Sequence, residues 1–87
     1  MNIKFPDWFD NLTEIECEAK GFISTIEIMI DRRVEIYTIY DSIRFDQDIF
    51  EELSAEGYFY LEKLLIVRKV NKENIVNALI KINRIKN

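Results

Sequence analysis

Two glycines, Gly21 and Gly57, and one proline, Pro6, are the only strong chain breakers in these 87 residues. So few turn formers leave little room for long loops, and most residues must lie in helices or strands joined by short connections. Hydrophobic residues make up 48% of the chain and charged residues 32%, the composition of a packed core with a wet surface and not of a disordered tail. The length supports one small domain, residues 1–87, with residues 1–12 as an arm docked on the body.

The arm is set apart because Phe5, Trp8 and Phe9 crowd around Pro6. Alternation fails there and Pro6 lacks a backbone donor, so Trp8 and Phe9 are read as anchors and not as strand residues. From Thr13 the period becomes two. Ile15, Cys17 and Ala19 alternate with Glu14, Glu16, Glu18 and Lys20, the pattern of a strand with one wet face, and Gly21 ends it. Phe22 to Ile30 predicts a second strand, with Ile26, Ile28 and Ile30 inward and Thr25, Glu27 and Met29 outward. A tight turn at Asp31-Arg32 leads to a third strand, Val34 to Tyr40, in which Val34, Ile36 and Thr38 alternate with Glu35, Tyr37 and Ile39. Three strands on short turns form an antiparallel meander.

The pattern then changes to helix. Asp41 or Ser42 can accept from the free amides of a first turn, and Phe45, Ile49, Phe50 and Leu53 form one stripe. Gly57 sits where a left-handed residue would close a helix of about 43–56. The apolar run Leu64-Leu65-Ile66-Val67 predicts a strand covered on both faces or inside the sheet. Asn71 caps a last helix with Ile75, Ala78, Leu79 and Ile82 as its buried stripe, widened by Val76, Ile80 and Ile85. The predicted fold is α+β in the order β-β-β-α-β-α: a four-stranded mixed sheet, made of the meander plus one strand after a helical crossover, with two helices on one face in a two-layer sandwich.

Catalytic chemistry is hard to build from this sequence. It contains no histidine, which removes the commonest general base and every Ser-His or Cys-His nucleophile. One cysteine, Cys17, makes neither a zinc site nor an intrachain disulfide, and fits a reducing compartment. Gly21 and Gly57 are too far apart for a phosphate loop. Ser24, Ser42 and Ser54 have only Lys20 near any of them in sequence. Asp46, Asp48, Glu51 and Glu52 do not converge on one ion when wound on a helix. The expectation is a protein that is not an enzyme and needs no cofactor or metal. The longest apolar run is four residues, far below the ~20 that span a bilayer. Nor does an apolar block follow a basic start, so a cytoplasmic protein without a secretory leader is expected.

Charge carries what functional information there is. Residues 1–56 hold 14 acids against 5 bases, whereas residues 57–87 hold 7 bases against 2 acids. An acidic body attracts basic partners and repels phosphate backbones. The predicted strand face of Glu14, Glu16 and Glu18, extended by Glu27 and Glu35, is one docking patch; Asp48, Glu51 and Glu52 on the predicted helix are the other. Tyr37, Tyr40, Tyr58 and Tyr60 supply hot-spot material where they stand exposed beside these acids. Lys69, Lys72, Lys81, Arg84 and Lys86 are read as C-terminal helix charges and not as a nucleic-acid stripe.

Together these features predict a protein-binding module that docks a basic partner. Its size and acidity resemble those of toxin-neutralising immunity proteins as a class, which implies an immunity- or antitoxin-like inhibitor. The alternative is a homo-oligomeric structural protein, the acidic body of one copy meeting the basic tail of another along Val76, Ile80 and Ile85.

Overall fold

A hairpin of two nine-residue strands, β2 (Phe22–Ile30) and β3 (Arg33–Asp41), forms the centre of the sheet. In the computed structural model, which describes residues 1–86 and side chains as far as residue 84, the hairpin closes through Asp31-Arg32, with Ile30 opposite Arg33. Asp31 adopts φ +56°, a left-handed conformation that aspartate tolerates better than most residues. Its carboxylate accepts the Asn2 backbone N–H at 2.9 Å, and its own N–H donates to the Asn2 carbonyl at 2.7 Å. These bonds seat the two-residue β1 (Ile3–Lys4) antiparallel to the end of β2.

Strand alternation puts Ile26, Ile28 and Ile30 on the buried face, as the sequence pattern predicts. Ile23 joins them because the register shifts between Ile23 and Ile26, so that two residues on β2 face one on β3. Such a bulge lets residues three apart point the same way, and Thr38 Oγ1 ties it by donating to the Ser24 carbonyl at 2.8 Å. From β3, Tyr37 and Ile39 complete that face. The fourth strand, β4 (Leu64–Val67), pairs parallel to β3 from Thr38↔Leu64 to Asp41↔Val67. The sheet order is β1-β2-β3-β4, the four-stranded mixed sheet that the sequence predicts. β4 is an edge strand: Leu65 and Val67 are buried, while Ile66 is exposed on the other face.

One element differs in kind. Residues predicted as the first strand form a helix, α1 (Asn11–Lys20). Asp10 caps it by accepting the Thr13 N–H at 2.9 Å, and Gly21, at φ +74°, closes it with its N–H on the Cys17 carbonyl. Alternation in Ile15, Cys17 and Ala19 is therefore not a sheet face: Cys17 packs on the core, while Ile15 and Ala19 are exposed. The meander's first strand is β1 instead, and the described residues form three helices.

The two helices on the core face of the sheet are α1 and α3 (Lys72–Lys86), and not the helix of about 43–56 with the last helix as the sequence pattern predicts. Cys17 from α1 and Ala78 and Ile82 from α3 pack against a core of sheet isoleucines with Phe9, Val70, Ile75 and Leu79. Phe9 from the arm is buried at 1% exposure, but Trp8 stays 49% exposed and meets the Phe9 ring edge-on. α2 (Ser42–Glu56) is capped by Asp41 and closed by Gly57. It packs through Phe45 on Tyr40, the neighbour of Ile39 that points to the opposite face. α2 has no fully buried residue, and Phe50 and Leu53 of its predicted stripe are exposed. On α3, Val76 and Ile80 are half-buried; Ile85 and Lys86 lie outside the residues whose side chains are described.

Candidate functional site

Folding α1 as a helix disperses the predicted acidic strand face. Glu14 and Glu18, one helical turn apart, both turn to the start of α3. Glu14 Oε2 accepts the Lys72 backbone N–H at 2.6 Å, and Glu18 Oε2 accepts from Asn71 Nδ2 at 3.1 Å. Glu16 points to solvent from the same helix. Glu27 is exposed on the outer face of β2, and Glu35 lies at the edge of β3 on the inner side. Glu35 accepts from Lys63 Nζ at 3.1 Å and from the Tyr37 hydroxyl at 2.9 Å, and Arg33 Nη1 pairs with it at 3.5 Å. The bonds from Lys63 and Tyr37 hold the Glu35 carboxyl below its ordinary value. Glu14, Glu18 and Glu35 are thus engaged within the fold, and no common face joins the five.

The second predicted patch is brought together, and with more than acids. An aromatic ladder runs from the sheet outward: Phe22–Tyr40 at 4.7 Å, Tyr40–Phe45 at 5.5 Å and Phe45–Phe59 at 5.6 Å between ring centroids. Tilted and edge-on contacts of this kind are favourable ring geometries. Gly57, at φ +80°, ends α2 and turns the chain, and the ladder then pins Phe59 against the helix. Alternation about Phe59 leaves Tyr58 and Tyr60 66% and 72% exposed. The result is an open groove of about 500 Å³ between α2 and residues 58–61, lined by Tyr40, Asp48, Glu51, Glu52, Tyr58 and Tyr60 among others.

Asp48 is the groove's structural carboxylate. Its two oxygens accept from the Tyr40 hydroxyl at 2.7 Å and from Arg44 Nε at 3.0 Å. Burial alone would raise its carboxyl, but these two donors outweigh burial and leave it lowered. Tyr40 responds oppositely: burial, then the bond to Asp48, pushes its hydroxyl up to about 12. Arg44 is held charged by Asp48 and stacks over the Phe22 ring at 5.0 Å. Glu51 and Glu52 are exposed, and among the described residues no ion pair reaches them. The groove therefore offers two free negative charges beside two bare phenol rings. Such a surface suits a cation on an aliphatic stem, whose methylenes cover the rings while its charge meets the carboxylates.

Other chemistry is not assembled. Among the described residues no group of three or more His, Cys, Asp or Glu side chains is placed to hold a metal ion. Cys17 is half-buried, and burial raises its thiol. No helix among the described residues is long and apolar enough to cross a membrane.

Two features were not read from the sequence. Asn83 is buried on α3, donating to the Leu79 carbonyl at 2.8 Å and accepting from Arg33 Nη2 at 3.1 Å; a polar residue inside an apolar stripe was its only signal. The other is the groove itself: the sequence offers Tyr58 and Tyr60 and the acids Glu51 and Glu52 separately, and only the turn at Gly57 brings them to one surface. No protein-family model, curated protein or solved structure matches the chain.

Proposed function

We propose that this protein is a non-enzymatic binding module that docks a basic protein partner in the groove between α2 and residues 58–61. The observation that carries this reading is the pairing of free acids with exposed aromatics: Glu51 and Glu52 stand beside Tyr58 and Tyr60, while Asp48 is occupied in holding the groove's wall. Tyrosine and a cationic side chain form a frequent hot-spot pair, and the acidic body draws a basic partner in at long range. The absence of histidine from the sequence supports a binding role over a catalytic one. An inhibitor that masks a basic surface, as immunity and antitoxin proteins do, is the most concrete form, acting in the cytoplasm where a lone Cys17 stays reduced.

The test is affinity capture from the source cell's lysate with two baits, the wild-type chain and Glu51→Lys/Glu52→Lys. A basic protein held by the wild type, released by salt and lost with the variant supports the reading. Equal capture by both baits overturns it.

A further inference from the structure

β3 is longer than the strands beside it. β4 pairs with it only from Thr38 onward, so residues 33–37 have β2 on one side and, among the described residues, no backbone partner on the other. The Thr38 N–H points to that side, donating to the Lys63 carbonyl. Backbone groups alternate along a strand, so the N–H and C=O of Val34 and Ile36 face the same way. They line a groove of about 350 Å³ bounded by Glu62 and Lys63. Their side chains, 57% and 50% exposed, lie with Met29 on the outer face of the sheet.

We infer that this edge is a self-association site, where β3 of one copy pairs antiparallel with β3 of a second copy to form one continuous sheet. Long open edges are normally short, bulged or charged against such pairing, but here the two outward residues are apolar. Two outward residues on each strand suit a two-fold axis at Glu35: Val34 pairs with Ile36 of the partner subunit, and each uses both of its backbone groups. Charge supports a second copy as the occupant. The chain is −4 overall, so two copies repel unless the surfaces that meet are balanced. Around this edge Arg33 and Lys63 offset Glu35 and Glu62. The junction also extends the exposed Met29–Val34–Ile36 strip across both copies. The α2 groove shares β3 with this edge through Tyr40, but neither Val34 nor Ile36 lines it, so the inference does not rest on that groove.

Sedimentation equilibrium of the full chain from ~10 μM to ~1 mM tests it, since an interface confined to one strand edge is smaller than a standard one and associates weakly. The wild type should show a concentration-dependent dimer. Ile36→Pro removes an N–H that no partner among the described residues uses, and Val34→Lys places a charge on the edge; each should weaken dimerisation at least tenfold with unchanged circular dichroism. Should Ile36→Pro fail to fold, Val34→Lys decides. A wild type that is monomeric at ~1 mM, or a dimer undiminished in Val34→Lys, overturns the inference.

Discussion

The carboxylate of Glu14 accepts the backbone N–H of Lys72 across 58 positions of sequence, at 2.6 Å. It acts as a cap supplied by one helix to another: α3 already has Asn71 accepting the Asn74 N–H at 2.9 Å, and Glu14 takes a further donor of that first turn. Negative charge at a helix start is favoured by the helix dipole as well as by the hydrogen bond. Glu14→Ala should therefore cost about 1–2 kcal/mol, the range of a lost cap, read as a lower urea midpoint at constant slope. Glu16→Ala, one turn face away and exposed, should stay within about 0.5 kcal/mol. Equal effects for the two would show that the Glu14 bond contributes nothing.

Gly21 and Gly57 close helices with similar backbone angles, φ +74° and φ +80°, but their surroundings differ. A Cβ on Gly57 meets nothing within 4 Å, whereas one on Gly21 would overlap the Asp41 carboxylate. That carboxylate caps α2 through the Arg44 N–H at 2.8 Å, and the Asp41 N–H donates to the Gly21 carbonyl at 2.9 Å. Gly57→Ala should lose about 1–2 kcal/mol for the left-handed conformation alone. Gly21→Ala should lose that plus about 1–3 kcal/mol of overpacking. Thermal unfolding of the two variants side by side checks the order, which a shared cost would contradict.

The same residues show how much of the fold the sequence carries. The sequence marks Asp41 or Ser42 and Gly57 as the ends of a helix because an apolar stripe runs between them. Asp10 and Gly21 bracket α1 in the same way, but the stripe is missing. On α1 the face turned inward holds Thr13, Glu14, Cys17 and Glu18, and two of these are acids whose partners, Lys72 and Asn71, lie far away in sequence. A helix that faces inward with charge leaves no 3.6-residue hydrophobic period, and the chance alternation of Ile15, Cys17 and Ala19 then dominates the pattern. The hairpin is legible because isoleucines fill the inward face of β2 and because β3 is rich in β-branched and aromatic residues, although only Tyr37 and Ile39 of β3 are buried on that face. The groove was only half legible: Glu51 and Glu52 could be seen as surface acids, but Tyr58 and Tyr60 reach them only through the turn at Gly57.

Alkali and acid should unfold the protein through identifiable groups. Burial, followed by bonds to Glu35 and Asp48, raises the hydroxyls of Tyr37 and Tyr40 to about 12 from an ordinary 10. Their contribution is complete below about pH 10. Above it the unfolded chain loses protons that the folded chain keeps, so stability falls until about pH 12. Tyr40→Phe should flatten this decline while lowering neutral-pH stability by about 1 kcal/mol for the lost hydrogen bond. Glu35 and Asp48 have lowered values, so their contribution is present above the ordinary carboxylate range of 4.5 and 3.8 and fades as the pH drops through the lowered values. Urea titrations across pH measure both limbs, and an unchanged alkaline slope in Tyr40→Phe would discount Tyr40.

The groove reading makes a sharper demand, because its acids should matter for docking and not for folding. A lysine-rich synthetic peptide serves as a defined probe of the cation class the groove suits. Wild-type chain should bind it with an affinity that drops as sodium chloride rises, since exposed charges are screened within about a Debye length. Glu51→Lys/Glu52→Lys should abolish that binding with stability within about 0.5 kcal/mol of the wild type. Tyr58→Ala and Tyr60→Ala should each weaken it about tenfold, the effect of losing a hot-spot ring, because the rings cover the methylenes of the bound side chain. Asp48→Asn behaves differently: its oxygens are held by Tyr40 and Arg44, so it should lower stability first and docking only as the wall loosens. Isothermal titration at two salt concentrations separates these cases. Binding that survives the double reversal, or that ignores the tyrosines, would mean that charge alone draws the peptide to the acidic body and that the groove does not select it.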